Sequence, residues 1–135
     1  RKEVFSRVGL FIESLGAGSS IGSGEDTEFS YRLLWHRCKL VYSPLPLVHH
    51  DNWLDRAQFG KMMKFAVLGQ AAVFLPYALR FDRLAFIHLL RTVWYVARDK
   101  MAIGSVPVGL AYFAMGLAVG PKYLLLRPPR LESAA

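Results

Sequence analysis

Three carboxylates stand close together at Glu25, Asp26 and Glu28, directly after a glycine-rich stretch. A carboxylate at the end of a structural element can accept a proton from a hydroxyl group, which makes it a candidate general base. Acidic residues are also favoured in the first turn of a helix, because they complement the helix dipole. The three residues alone therefore leave two interpretations open, a catalytic base or an ordinary helix start.

A loop and a helix are predicted to position these carboxylates. Residues 16–24 contain four glycines, so they form either a loop whose backbone can approach a ligand closely or a flexible surface connection. A helix is expected to start near Glu25 or Asp26 and to end by Arg37 or Cys38. A catalytic carboxylate among the three would then lie where the loop meets the helix.

Short elements are predicted on both sides of this loop and helix. Apolar residues at helical spacing predict a helix over residues 1–10. Residues 39–43 are rich in strand-forming side chains, and Pro44 would end the strand that they form. A further extended piece is expected over residues 47–50.

The chain of 135 residues divides into a neutral part and a basic, apolar part. Residues 1–60 contain seven Lys/Arg and seven Asp/Glu, whereas residues 61–135 contain ten and three, so the whole net charge of +7 lies in the second part. Basic residues set among long apolar runs suit anionic lipid head groups better than nucleic acid. The single cysteine, Cys38, excludes an internal disulfide. We predict two regions, residues 1–52 and residues 53–135.

The second region contains three apolar, helix-forming stretches, over residues 53–79, 80–101 and 106–126. Arg80, Arg91 and Arg98 would share one side of the middle helix, with Trp94 and Tyr95 beside them, a pattern typical of a helix at a lipid surface. The uncharged, proline-free run in the last stretch is 13 residues, and a spanning helix needs about 20. We expect helices that lie in a membrane interface. The alternative is that they pack as an ordinary core against a part of the protein outside these 135 residues.

Five segments of the first region match a known family in order and at its usual spacing. They are RKEVFSRVGLFIE at 1–13, LGAG at 15–18, GEDTEFSYRL at 24–33, YSP at 42–44 and His50. These segments resemble family 2 glycosyltransferases of the GT-A fold. The resemblance implies that residues 1–52 are the C-terminal portion of an α/β, Rossmann-like GT-A domain, followed by an all-α region. The chain has no initiator Met at its start, which agrees with a piece of a longer protein.

The resemblance also implies an activity and the residues that perform it. Family members transfer a sugar with inversion from a nucleotide-diphosphate donor to an acceptor hydroxyl, here of a glycan or a lipid-linked molecule. Asp26 would be the catalytic base, and Glu25 would position the acceptor or tune Asp26 through its like charge. Gly18, Gly24 and Glu28 would contact substrate. The Gln-x-x-Arg-Trp signature of processive synthases does not follow Asp26, so the transfer is expected to be non-processive.

The family commonly uses Mg²⁺ or Mn²⁺ to neutralise the diphosphate, through an Asp-x-Asp motif. No Asp-x-Asp occurs in these 135 residues, so the main ligands are expected upstream, with His50 a candidate for a further ligand. Arg32 is expected to pair with a carboxylate or to support the fold, and not to contact substrate. Ile12 and Arg37 depart from the family, which often has Asp and Gly there. Arg37 would have to adopt left-handed geometry, or the helix would end differently.

The expected location is the cytoplasmic face of a membrane, and no nucleic-acid partner is expected. The alternative function is a non-catalytic membrane-anchoring or oligomerisation module. Gly116 and Gly120 form the small-xxx-small pattern that lets helices approach closely. That pattern predicts either self-association as a homo-oligomer or tight packing within one chain.

Overall fold

The computed structural model describes residues 3–49, 53–98 and 105–126, and the regular structure within these ranges is helical. In chain order the helices are α1 (Glu3–Val8), α2 (Glu25–Trp35), α3 (Arg56–Ala78), α4 (Arg83–Arg98) and α5 (Val106–Leu126). The longest helix, α3, packs along both α5 and α4, and α2 lies against it. The fold is therefore a bundle of helices arranged around α3.

The expected α/β, Rossmann-like portion in residues 1–52 is wrong for the described part of the chain, which contains no strand or sheet. Residues 39–43, predicted to form a strand, are irregular, and Val41 and Tyr42 are 86% and 88% exposed. A strand needs a neighbouring strand to pair its backbone groups. The described residues supply no such neighbour, so the local preference for a strand has nothing to pair with.

One hydrophobic core joins residues from both predicted regions. Leu15 and Ile21, at the glycine-rich loop, pack with Phe74 of α3 and Leu89 of α4. Ile21 is only 1% exposed. The loop over residues 16–24 is consequently anchored to the bundle, which excludes the interpretation of a flexible surface connection. The division into residues 1–52 and 53–135 stays a prediction.

The small-xxx-small pattern lies in the interface between α5 and α3. A Cβ atom at Gly116 would collide with the carbonyl oxygen of Leu68, and one at Gly120 would come within 2.6 Å of the carbonyl oxygen of Ala72. The two glycines thus let α5 approach the backbone of α3 closely. Of the two interpretations of this pattern, the structure favours tight packing within one chain.

The helix predicted over residues 80–101 begins later than expected. Asp82 accepts hydrogen bonds from the N–H groups of Leu84 and Ala85 through Oδ1, at 2.8 and 3.2 Å, and so caps α4 at Arg83. Arg80 precedes this helix, so it does not share one side of the helix with Arg91 and Arg98 as predicted. Arg98 lies on α4, with its guanidinium carbon 4.9 Å from the centre of the Trp94 ring.

α4 buries one side and exposes another that is also apolar. Its buried side packs into the bundle and consists of Ala85, Leu89, Thr92 and Val96. Its exposed apolar side chains, named here the outer face of α4, are Leu84, Phe86, Ile87, Leu90 and Trp94. Among the described residues, no helix has the length and apolar character required to cross a membrane.

Candidate active site

The start of α2 is held in place by the loop that precedes it. Gly24 has φ of +104°, a left-handed conformation that glycine adopts without strain. A Cβ atom there would lie 3.1 Å from Cγ2 of Val73 and 3.5 Å from Cα of Gly69, so the loop backbone rests directly on α3. Ser23 donates a hydrogen bond from Oγ to the carbonyl oxygen of Phe65 at 2.8 Å. These contacts fix where the first turn of α2 stands.

A buried ion pair anchors the middle of α2. Arg32 donates from Nε to Oε1 of Glu28 at 3.0 Å and from Nη2 to Oε2 at 2.8 Å, and both side chains are buried. Arg32 also donates to the carbonyl oxygens of Val8, the last residue of α1, and of Leu10, two residues beyond it. This confirms the prediction that Arg32 pairs with a carboxylate.

Tyr77 of α3 completes this network from the other side. Its hydroxyl donates a hydrogen bond to Oε1 of Glu28 at 3.2 Å. Burial, and then the negative charge of Glu28, raise the pKa of the Tyr77 hydroxyl. The hydroxyl therefore stays protonated and keeps donating to Glu28 over the physiological range. Tyr77 was not singled out from the sequence, because it lies 49 residues from Glu28 along the chain.

The three carboxylates occupy three different environments. The carboxylate of Glu28 is paired with Arg32 and hydrogen-bonded by Tyr77. A contact between Glu28 and substrate would require the ion pair to break. Glu25 is half-buried, and its Cδ would come within 2.7 Å of a Cβ atom placed at Gly16, so it lies against the loop backbone. Asp26 is exposed, and its Oδ1 accepts a hydrogen bond from the N–H of Thr27 at 3.0 Å.

Asp26 lines an open groove of about 360 Å³ between α2 and the ends of α3 and α4 that meet it. The other lining residues are Thr27, Ser30, Tyr31, Leu34, Phe74 and His88. Two hydroxyl groups, from Thr27 and Ser30, stand on the same helix as Asp26 and can hydrogen-bond to polar ligand groups. A carboxylate with hydroxyl groups beside it at an accessible surface can position an acceptor hydroxyl and accept its proton.

Aromatic rings form the floor of this groove. The ring of His88 stacks on Phe74 with their centres 4.5 Å apart and their planes 5° from parallel. Tyr31 meets Phe74 edge-on at 5.0 Å. Burial, followed by the neighbouring Asp82, raises the pKa of the Tyr31 hydroxyl. The base of the groove is thus formed by packed aromatic rings, and its edge by the polar side chains of Asp26, Thr27 and Ser30.

The other predicted site residues do not gather at this groove. Gly24 makes its close approach to α3 of the same chain, and Gly18 is exposed, with open space around it. His50 lies outside the described residues. His88 was not singled out from the sequence. Its spacing from Arg91, Thr92 and Tyr95 on one side of α4 is the signal that could have indicated it.

The described residues do not fit a divalent cation site by themselves. Among them no group of three or more His, Cys, Asp or Glu side chains is placed so that it could hold a metal ion. Asp26 is the acidic residue that lines the groove, and Mg²⁺ or Mn²⁺ requires several oxygen ligands together. The metal ligands expected upstream, and the role of His50, stay predictions.

Comparison with known proteins gives no relative for this chain. No protein-family model matches it, and neither a curated protein nor a solved structure is similar enough to count as a match.

Proposed function

We propose that this chain forms the acceptor-binding, membrane-associated part of an inverting, non-processive glycosyltransferase that uses a nucleotide-diphosphate sugar. The observation that carries the proposal is the position of Asp26, the exposed carboxylate that lines the groove next to Thr27 and Ser30. Glu28, two residues further along, is held in a buried ion pair. Only one of the three carboxylates is thus both accessible and placed beside hydroxyl-bearing side chains at the groove.

In this reaction the acceptor hydroxyl attacks the anomeric carbon of the donor sugar. Asp26 accepts the hydroxyl proton as the new carbon–oxygen bond forms. The bond from the anomeric carbon to the diphosphate breaks on the opposite side, and the diphosphate leaves with the electron pair. Attack from the side opposite the leaving group inverts the configuration. Thr27 and Ser30 orient the acceptor, which contributes to the rate by limiting its freedom before the reaction.

The test is the substitution Asp26→Asn in the full-length polypeptide that carries these residues. Asn preserves the size of the side chain but cannot accept the proton, so kcat for sugar transfer should fall by about 10²–10⁴-fold. Glu13→Gln is the matched control, because Glu13 is an exposed carboxylate that does not line the groove. Transfer by Asp26→Asn at the rate of the Glu13→Gln control would show that Asp26 is not the base.

The outer face of α4 supports the membrane part of the proposal. It exposes Leu84, Phe86, Ile87, Leu90 and Trp94 on one helix, with Arg98 packed over Trp94. Apolar side chains flanked by arginine are typical of a helix that lies in the surface of an anionic bilayer. We place this face on the cytoplasmic side of a membrane.

Co-sedimentation with vesicles tests this placement. Binding should be stronger to vesicles that contain phosphatidylglycerol than to neutral phosphatidylcholine vesicles, and salt should weaken it by screening charge. Phe86→Ser should reduce binding, whereas Ser6→Ala, at an exposed position on α1, should leave it unchanged. Equal sedimentation of the two variants would contradict a role for the outer face of α4.

A further inference from the structure

The groove beside Asp26 continues well beyond α2. Thr27, Phe74 and His88 line both the part next to Asp26 and a second part of about 460 Å³ between α3 and α4. On α3 the lining extends from Phe74 back to Met63. Eleven residues separate these two, which corresponds to roughly 16 Å along a helix. The combined groove therefore suits an elongated ligand.

The chemistry of the lining changes along the length of the groove. A carboxylate and two hydroxyl groups stand at the end formed by α2, where they suit the hydroxyl groups of a sugar. Arg91 stands next along α4, one helical turn after His88. Beyond it the lining is largely apolar or aromatic, with Met63, Val67, Trp94 and Tyr95. A ligand that matches this order carries a sugar, then an anion, then an apolar chain.

The positive charge of Arg91 is the second feature that selects the ligand. Arg91 is exposed, and no carboxylate stands with it among the described residues that line the part of the groove between α3 and α4. A guanidinium group between apolar walls favours an anionic partner, and its planar set of donors matches phosphate oxygens well. Trp94 belongs both to the groove and to the outer face of α4. An apolar chain in the groove can thus extend directly into a bilayer at that face.

We propose that this groove binds a lipid-linked acceptor, with a lipid phosphate at Arg91, the apolar chain along Met63 and Trp94, and the acceptor sugar towards Asp26. The proposal rests on the proposed function, because it assigns the acceptor of that same site. It excludes a soluble glycan without a lipid phosphate as the acceptor.

Isothermal titration calorimetry with decyl phosphate, below its micelle concentration, tests the groove without requiring sugar transfer. Decyl phosphate should bind, whereas inorganic phosphate and the neutral decyl glucoside should each bind at least about tenfold more weakly, because each lacks one of the two matching groups. Arg91→Gln should weaken decyl phosphate binding by about tenfold or more, since it removes a charge-assisted hydrogen bond. Arg83→Gln is the matched control on the same helix; it does not line the groove and should bind as the unmodified protein does.

Fluorescence locates the bound probe. A change in tryptophan emission on addition of decyl phosphate should disappear in Trp94→Phe but persist in Trp35→Phe. Equal binding of decyl phosphate and decyl glucoside, or equal affinity of Arg91→Gln and Arg83→Gln, would overturn the proposal. Monomeric decyl phosphate in the absence of vesicles separates binding in the groove from attraction to a bilayer of anionic lipid.

The outcomes also separate this proposal from the proposed function. Full transfer activity in Asp26→Asn together with selective decyl phosphate binding would refute the proposed base and leave a lipid phosphate site in place. Loss of transfer in Asp26→Asn together with no preference for decyl phosphate would refute the lipid-linked acceptor and leave the glycosyltransferase proposal standing.

Discussion

The network around Glu28 should be a main source of the stability of this fold, and Arg32→Met tests that expectation. Arg32 donates to four acceptors. Two are the oxygens of Glu28 on the same helix, and the other two, the carbonyl oxygens of Val8 and Leu10, connect α2 to the end of α1. Met fills part of the volume of Arg32 but donates no hydrogen bond. In this variant the buried carboxylate would retain the hydrogen bond from Tyr77, and two carbonyl groups would lose a charged donor.

The magnitude follows from the burial of the pair. Removal of one partner of a buried ion pair costs about 3–5 kcal/mol, because the other charge stays in the protein without compensation. A single domain is stable by about 5–15 kcal/mol, so this one change removes a large fraction of the total. With a urea dependence of about 1–3 kcal/mol per molar, the unfolding midpoint should fall by about 2 M.

Urea unfolding followed by circular dichroism at 222 nm is the assay. Arg83→Met is the control, because Arg83 is an exposed arginine on a helix and its loss should change the free energy of unfolding by no more than about 0.5 kcal/mol. Tyr77→Phe should fall between the two variants, since it removes one hydrogen bond to a charged group, worth about 1.5–3 kcal/mol. If Arg32→Met unfolds at the same urea concentration as Arg83→Met, the ion pair does not stabilise the fold.

Three further substitutions test other parts of the structure. Arg37, after the end of α2, has φ of +55°, a left-handed conformation that glycine adopts more easily than other residues. Arg37→Gly should therefore raise the free energy of unfolding by up to about 1 kcal/mol, and Arg37→Ala should not. A loss of stability in Arg37→Gly would contradict the left-handed geometry. Burial, and then the positive charges of Arg7 and Arg32, lower the pKa of His36 in the folded protein. As the pH falls below about 6.5, His36 therefore gains a proton in the unfolded chain before it does so in the folded one, and the protein should lose stability. Thermal melts from pH 7 to pH 5 should show a smaller loss in His36→Gln, and an equal loss in both proteins would exclude His36 as a source of it. Gly116→Ala should lower the free energy of unfolding in urea by about 1–3 kcal/mol, because the added Cβ atom would collide with the backbone of α3. A gain in stability, as alanine gives at an open helix position, would show that α5 does not approach α3 so closely.

Local features of the fold followed from the sequence. α2 begins at Glu25, where acidic residues follow the glycine-rich loop, and the pairing of Glu28 with Arg32 follows from their spacing of four residues on a helix. Arg37 has the left-handed geometry, which was one of the two outcomes expected for a residue that stands after the helix where the family often has Gly. Each of these features depends on residues within a few positions of one another, so a local pattern contains the required information.

The α/β prediction failed because it depended on distant residues. Residues 39–43 have side chains that favour a strand, but a strand forms only when another part of the chain supplies hydrogen-bond partners. Similarly, Gly116 and Gly120 allow close helix packing without specifying the partner helix. Only the position of α3 beside α5 assigns that packing to a single chain.

The sequence by itself determined that Glu25, Asp26 and Glu28 stand together at a helix start, and the family resemblance of its segments made Asp26 the candidate base. Tertiary structure decided how the three differ. Glu28 is buried and paired with Arg32 and Tyr77, the loop backbone covers one side of Glu25, and Asp26 is left exposed beside Thr27 and Ser30. The groove that extends from Asp26 to Arg91 was likewise decided by the packing of α2, α3 and α4. The physical reason is that exposure and groove shape arise from contacts between residues far apart in the chain, which no local spacing encodes.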